Sequence, residues 1–485
     1  MNWLLTAEII YVIILIIVSI RIIYDTRSHV KALAWVLCVI FLPVLGMILY
    51  FSFGINYRKR KMYSKKLFED DDLARKLQED IFNYSKHSLA KADESVQHNR
   101  ELAHMLVRDS LSPLTADNSV ELLINGEKKF PSVFEAIRAA RKHIHIEYYI
   151  YEDGEIGRQL EQLLIEKARQ GVTVRFIYDD YGSRSIRKTL VKRLRAGGVQ
   201  AFPFHKVLFI ALANRLNYRN HRKIIVIDGQ IAFVGGINVS DRYINCETLQ
   251  NKIYWRDTHI RIEGPGVYYL QYIFMCDWNF CANEKMQPNE EFFPKRKDFV
   301  TRGDRYVQIA ASGPDSDTPT ILFSLLQAIN LATKEILITT PYFIPGESLL
   351  NALIISSLGG VKVKLLVPYK SDTLFVDIAA RSYFDDLLRA GVEIYRYRHG
   401  FIHAKTLVAD GKVAIVGTAN LDSRSFDLNF EVNAIVYGEE LSNELKNVFY
   451  NDLQYSERLN SVDWEDRPVL QQLLEKSARL LSPLL

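Results

Sequence analysis

The sequence predicts an α/β protein of two pseudo-symmetric domains. Each domain is a mixed β-sheet flanked by helices, and the pair follows an N-terminal two-helix transmembrane hairpin. Three observations predict this. The run from Ala32 to Phe53 carries no charged residue and follows an apolar first segment. Helix-like and strand-like stretches then alternate, and the same order returns in the second half of the chain. Each half also reaches the same trio, His-x-Lys, four residues, then Asp-Gly: "HRKIIVIDG" from His221 and "HAKTLVADG" from His403.

At 485 residues the chain exceeds a single ordinary core, and two domains plus additions are expected. Apolar residues make up 48% and charged residues 24%, ordinary for a folded protein. A net charge of +4 gives no support to a nucleic-acid partner. Cys38, Cys246, Cys276 and Cys281 form no CxxC pair and no zinc-like spacing with histidine, so they read as plain thiols in a reducing compartment. Neither a metal nor another cofactor is expected.

The first membrane segment runs from about Trp3 to Ile23, with an apolar heart at Ile9–Ile20 bounded by Glu8 and Arg21. The opening "MNWLLTAE" has no basic residue, which argues against a cleaved signal peptide. The second segment, Ala32 to Phe53, is long enough for a hydrocarbon core that takes about 20 residues. Trp35 and Tyr50 lie near its ends, as interface aromatics do, and Pro43 and Gly46 are tolerated in a membrane helix. Arg58, Lys59, Arg60, Lys61, Lys65 and Lys66 follow, an excess that predicts a cytoplasmic remainder resting near anionic lipid. The expected divisions are residues 1–57 for the hairpin, 58–115 for a helical connector, 116–300 for the first domain and 301–485 for the second.

In the first half, "VFEAIRAARKHIHIEYYIYEDG" predicts a helix running into a strand. "IGRQLEQLLIEKARQGVTVRFIYDD" and "LVKRLRAGGVQAFPF" repeat that step. In the second half the order returns as "ILFSLLQAINLATKEILITTPYFIPG", "SLLNALIISSLGGVKVKLLVP" and "YFDDLLRAGVEIYRY". "KIIVIDGQIAFVGGIN" and "KTLVADGKVAIVGTAN" predict two hairpins with Asp-Gly turns. "WRDTHIRIEG" matches "NFEVNAIVYG", which sets Asp257 opposite Glu431. Pairing such halves brings the two trios together.

Residues i and i+2 of a strand face the same way, so His221 projects with Lys223 and His403 with Lys405. An ammonium beside an imidazole disfavours a second positive charge and biases the ring towards its neutral, nucleophilic form. The two lysines, with Asn238 and Asn420, describe a phosphate cradle without a metal. Two histidines around one phosphodiester suggest a double displacement. One attacks phosphorus, and the other protonates the leaving alcohol and deprotonates the incoming one. Asp257 and Glu431 are candidates to orient one His each. Asp228 and Asp410 read equally as members of the chemistry or as turn residues. His143, His145 and His399 lack such a context and read as ordinary core or surface residues.

These paired motifs resemble those of the phospholipase D superfamily. More narrowly, the whole chain resembles the bacterial cardiolipin synthases of that superfamily. "AWVLCVIFLPVLGMILYFSFG", "NYRNHRKIIVIDG", "GGIN", "WRDTHIRIEGPGV", "SGPDSD", "TTPYFIPG", "FIHAKTLVADGKVAIVGTANLDSRSFDLNFEVN" and the terminal "RLLSPLL" carry the likeness. It implies phospholipase D-like domains in an inner-membrane enzyme with two spans and a cytoplasmic catalytic part. The implied reaction turns two phosphatidylglycerol molecules, donor and acceptor, into cardiolipin and glycerol. It also implies active-site positions at His221, Lys223, Asp228, His403, Lys405 and Asp410, with His221 as nucleophile and His403 as acid and base. "RYINCETLQNKIY", Arg242 to Tyr254, does not match the family pattern.

The main rival is a membrane-bound phospholipase D that uses water as acceptor, since acceptor choice depends on pocket shape. A nuclease is disfavoured by the low net charge and the hairpin, and a lipid-binding scaffold by two intact trios. Oligomeric state is not readable from the sequence.

Overall fold

A computed structural model describes residues 3–26, 29–51, 71–204, 218–245, 253–282, 284–295, 299 and 303–481. The basic stretch after Tyr57, most of the unmatched 242–254 segment and the terminal "SPLL" lie outside the described residues.

The strands run as one continuous sheet whose two halves mirror each other. Outward from the centre, the first half places Thr115–Ile124, Thr258–Glu263, Ile231–Gly235, Lys223–Ile227, His143–Tyr148, Thr173–Tyr178 and Gln200–Pro203. The second half repeats this as Arg305–Ser312, Asn429–Tyr437, Val413–Gly417, Thr406–Ala409, Glu335–Thr339, Lys362–Pro368 and Glu393–Tyr397, then adds Ser456–Arg458. The two central strands pair antiparallel across the pseudo-symmetry axis. His143–Tyr148 pairs parallel with Thr173–Tyr178 and antiparallel with Lys223–Ile227, so the sheet is mixed, as predicted.

The sequence accounts for these elements locally. "KIIVI", "IAFVG" and "VAIVG" are β-branched and buried nearly throughout, as strands covered on both faces require. Each hairpin turns through two residues of positive φ, Asp228 (52°) and Gly229 (66°), then Asp410 (54°) and Gly411 (64°). That is the primed turn that matches strand twist, and Asp-Gly suits it. Every predicted helix-then-strand step appears, including Asn125–Ala139 into His143–Tyr148 and Thr320–Leu331 into Glu335–Thr339.

One apolar cluster lies under each half, and a third joins them, combining Ile224, Val234 and Ile260 with Val408, Val416 and Val432. Full burial of each such side chain contributes about 1.5–3 kcal/mol, so separating the halves is costly. The segment expected to be a plain connector has a definite place. Helix Arg100–Ser110 buries Leu102 and Leu106 against Ile321, Leu325 and Ile329 of the second half. Gln308 Nε2 donates to the carbonyls of Ala103 (3.2 Å) and Ser112 (3.0 Å), fixing it there.

At the N-terminus, helix Trp3–Asp25 packs against His29–Phe41 through Val18, Ile22, Trp35 and Val39, and Tyr50 joins the same cluster. The second segment is not continuous. It breaks at Leu42 and resumes as Pro43–Leu49, because the proline ring ends the preceding helix and opens the next. Among the described residues no helix is long and apolar enough to cross a membrane. Cys38 and Cys281 carry free thiols, and Cys246 lies outside the described residues.

Candidate active site

Each half lends a short strand to the other. Arg219–Asn220 pairs parallel with Asn429–Phe430, and Phe401–Ile402 pairs parallel with Trp255–Arg256. The backbone N–H of His221 donates to the Phe430 carbonyl (3.0 Å), and that of His403 to the Arg256 carbonyl (2.7 Å). The exchange delivers each histidine to a carboxylate of the opposite half. His221 Nδ1 lies 2.9 Å from the Glu431 carboxylate, and His403 Nδ1 lies 2.8 Å from Asp257 Oδ2. The two carboxylates that the sequence offered as histidine partners thus each meet a ring of the opposite half. A carboxylate at Nδ1 favours the tautomer with the proton there, leaving Nε2 as the basic nitrogen.

The two carboxylates are held differently. Thr418 Oγ1 donates to Glu431 Oε2 (2.5 Å), and Asn429 Nδ2 donates to Oε1 (3.1 Å). Asp257 Oδ1 accepts from the Thr258 backbone N–H (2.7 Å). Gly236 stands where the second half has Thr418, and a Cβ there would collide with the Asp257 carboxylate. A shorter acid beside a glycine replaces a longer acid beside a threonine.

Both lysines are buried next to their histidines. Lys223 Nζ donates to the His221 carbonyl (2.6 Å). Lys405 Nζ donates to the His403 carbonyl and lies 2.9 Å from His403 Nδ1. Burial pushes both imidazoles down to about 4. The neighbouring lysines push the same way, while Glu431 and Asp257 pull back. The neutral state expected from the lysine charge thus has burial as its larger cause. Burial also brings Lys223 down to about 7 and Lys405 to about 8. The two sets form one electrostatic unit: Lys405 acts on His221, and Lys223 on His403.

Asp228 and Asp410 belong elsewhere. They follow the strands Lys223–Ile227 and Thr406–Ala409, at the ends remote from the histidines. Asp228 accepts the backbone N–H groups of Arg141 (2.8 Å), Lys142 (2.8 Å) and His143 (2.9 Å). Asp410 accepts those of Thr333 (2.8 Å), Lys334 (2.7 Å) and Glu335 (2.9 Å), and the Thr333 hydroxyl (2.9 Å). Each pins its hairpin turn to the junction between a helix and a strand, so a role in the chemistry for either aspartate is corrected to a structural one. Burial alone would raise the Asp410 carboxyl, but the backbone donors outweigh it and hold it below the usual range.

The asparagines are inequivalent. Asn238 accepts from the Ile150 backbone N–H (3.2 Å) and donates to the Tyr243 hydroxyl (3.1 Å), which lies 3.5 Å from His403 Nδ1. Asn420 Oδ1 is buried with no hydrogen-bond partner among the described residues.

Sequence reasoning missed the walls. The Tyr149 ring meets His221 edge-on at 4.8 Å. Trp255 (5.5 Å), Phe401 (5.9 Å) and Tyr243 (6.2 Å) surround His403. Tyr243 and Trp255 belong to or flank the segment that matched no pattern. His143 and His145, stacked at 4.4 Å, are core residues as expected. Among the described residues no group of His, Cys, Asp or Glu forms a metal site.

A family model described as "Cardiolipin synthase, PLD-like domain" matches residues 133–255 and 325–453. One described as "Phospholipase_D-nuclease N-terminal" matches residues 13–54. The chain is 39% identical over 485 residues to a cardiolipin synthase of Alkalihalophilus pseudofirmus, covering 100% of this chain and 95% of that one. It is 40% identical over 475 residues to the major cardiolipin synthase of Bacillus subtilis, covering 97% of each. In fold it is similar to the crystal structure of a phosphatidylserine synthase of Haemophilus influenzae, with a TM-score of 0.58 at 15% identity over 81% of this chain and 100% of that one. At that identity the likeness is one of fold alone.

Proposed function

The chain belongs to the cardiolipin synthases with paired phospholipase D-like domains, and on that premise we propose that it joins two phosphatidylglycerol molecules into cardiolipin and glycerol. The observation that carries the mechanism is the crosswise pairing of His221 with Glu431 and of His403 with Asp257. Both imidazoles are buried and present Nε2 to the cleft; His221 reacts as the neutral ring, while His403 enters the first step as the imidazolium that Asp257 supports, gives up its Nε2 proton and regains it in the second, which suits a two-step transfer at one phosphorus.

In the first step His221 Nε2 attacks the donor phosphorus. A P–N bond forms, the P–O bond to the headgroup glycerol breaks, and His403 supplies the proton that glycerol carries away. In the second step a terminal hydroxyl of the acceptor gives its proton to His403 and attacks the phosphohistidine. The P–N bond breaks and cardiolipin leaves. The assignment of nucleophile to His221 follows the resemblance. Lys223 and Lys405 offset the charge that develops on the phosphoryl oxygens. Asn238 and Asn420 complete the cradle through their Nδ2 groups, the donors that phosphoryl oxygens require.

Bonds broken and formed are near-equivalent phosphodiesters, so no activated donor is required. The N-terminal hairpin sits in the bilayer, supported by the exposed apolar surface of Ile9, Ile17, Ile20, Phe41 and Val44. The catalytic halves, bounded near residues 115 and 300, then work at the cytoplasmic surface where their anionic lipid substrates are concentrated. Purified protein given only phosphatidylglycerol tests the function. Cardiolipin with glycerol supports the transferase, whereas phosphatidic acid without cardiolipin marks a hydrolase.

A further inference from the structure

The two orienting acids are held by different means, and the difference singles out Arg256. Glu431 lies inside strand Asn429–Tyr437, in register with Ser312, so the sheet ladder fixes its main chain. Its carboxylate has side-chain donors in Thr418 and Asn429. Asp257 is placed otherwise. It falls between strands Trp255–Arg256 and Thr258–Glu263, and its Oδ1 accepts the Thr258 backbone N–H (2.7 Å). A buried residue between two ladders needs other partners for its own N–H and C=O, and those partners decide where its side chain points.

Two residues serve. Asn125, at a φ of 59°, donates its N–H to the Asp257 carbonyl (2.9 Å), and its Oδ1 accepts the Asp257 N–H (2.9 Å). Arg256 takes the second lone pair of that carbonyl. Its Nη1 donates there (2.7 Å) and to Thr258 Oγ1 (3.0 Å). Its Nε donates to Asp452 Oδ1 (3.0 Å), on helix Glu439–Leu453 of the second half. The carbonyl of Arg256 accepts the His403 N–H (2.7 Å). One buried residue thus touches the main chain of both members of the His403–Asp257 pair and is fastened to the half that supplies His403. Phe430 stands at the matching position of the other pair, and a phenyl ring has no such donor. Arg222 reaches the Glu431 carbonyl there, but at 3.4 Å.

We propose that Arg256, anchored on Asp452, is a positioning residue for the acid–base pair. It fixes the main chain of Asp257 so that the carboxylate meets His403 Nδ1, and it makes that alignment depend on the docking of the two halves. This rests on the roles given to His403 and Asp257 above. Arg256 takes no part in bond exchange and acts through Asp257. Proton transfer is sensitive to such alignment, since a misplacement of about 1 Å costs on the order of 10²-fold in rate.

Glycerol release by the full chain from vesicles of phosphatidylglycerol provides the test, because the first step frees glycerol whether lipid or water is the acceptor. Removing Arg256 alone strands a buried Asp452, so the main variant is Arg256→Gln/Asp452→Asn, with Arg256→Lys as the conservative change. The double change is expected to lower kcat about tenfold, the size of one lost charge-assisted hydrogen bond, with KM within about threefold of wild type. Arg256→Lys should retain more activity. The same change is then made in two backgrounds. With Asp257→Asn present it should cost less than about twofold, because Arg256 acts through that carboxylate; with Glu431→Gln present it should cost the full factor of about ten. Arg256→Lys carried through both backgrounds gives the same comparison where the double variant does not fold. Equal losses in the two backgrounds mark a merely structural role and overturn the proposal, as does an unchanged kcat. Phosphatidic acid in place of cardiolipin among the wild-type products overturns the transferase function, and the comparison of backgrounds on glycerol release still decides the role of Arg256.

Discussion

Glu431, from the second half of the chain, lies 2.9 Å from Nδ1 of His221, from the first. Asp257 and His403 repeat the relationship in reverse at 2.8 Å. Neither half therefore holds a complete histidine–carboxylate pair, and docking of the halves is part of building the site. A carboxamide in place of either acid keeps the shape but no longer favours the proton on Nδ1. Glu431→Gln and Asp257→Asn are each expected to lower kcat by about 10²-fold or more with a much smaller change in KM. Combining Glu431→Gln with His221→Asn should cost little beyond His221→Asn alone, because the acid acts through the ring. Steady-state kinetics on the single and double variants check both statements.

Asp228 and Asp410 should behave in the opposite way. Asp410→Ala strands three backbone N–H groups and is expected to cost about 1–3 kcal/mol in stability. Asp228→Ala should do the same at the equivalent turn. Thermal melts should shift downwards, while kcat per folded molecule stays within a few-fold of wild type. A kcat collapse with an unshifted melt would place these aspartates in the chemistry after all.

The duplication, the mixed sheet, the Asp-Gly turns and both His-Lys pairs were legible because each is a local pattern. Strand alternation, turn chemistry and the i, i+2 relation need no knowledge of distant residues. The crosswise pairing was not legible. Asp257 and Glu431 stood out as matched acids, but which ring each one meets depends on how the halves dock. The role of Asp228 and Asp410 stayed open because a carboxylate at that spacing can serve a turn or a cleft. Its direction is set by the positive φ of the turn and by amides some 80 residues away in sequence. Tyr149, Trp255 and Phe401 belong to strands or loops brought together only by the fold, so no spacing marks them. Comparing the two copies position by position would have flagged Gly236 against Thr418.

The Thr418 hydroxyl supports Glu431 at 2.5 Å. Thr418→Val keeps the bulk and removes the donor, and about a tenfold loss of kcat is expected. Thr418→Ser should recover most of it. Gly236→Ala should act on the other pair by displacing the Asp257 carboxylate.

Acid should weaken the fold through the same histidines. Burial lowers His221 and His403 from 6.5 to about 4, so between those values the native state binds fewer protons than the unfolded chain. Stability therefore rises with pH through that window and is lost as pH falls from 6.5 to 4, by about 3 kcal/mol per histidine. The melting temperature should drop over this range, and a His221→Asn/His403→Asn chain should show a shallower slope. At the other end, Lys223 and Lys405 lose their charge as pH rises past about 7 and 8. The KM for an anionic lipid should rise from pH 7 to 9.

Rapid quenching in a neutral to mildly alkaline denaturant, which preserves a phosphohistidine P–N bond, with phosphate-labelled phosphatidylglycerol and peptide mapping at the same pH, reports on whether the two halves share one phosphoryl group. A phosphatidyl adduct on His221 alone, absent in His221→Ala and retained on His221 in His403→Ala, is the predicted result. Equal labelling of both histidines in the wild-type chain, or turnover that persists in both alanine variants, would contradict it.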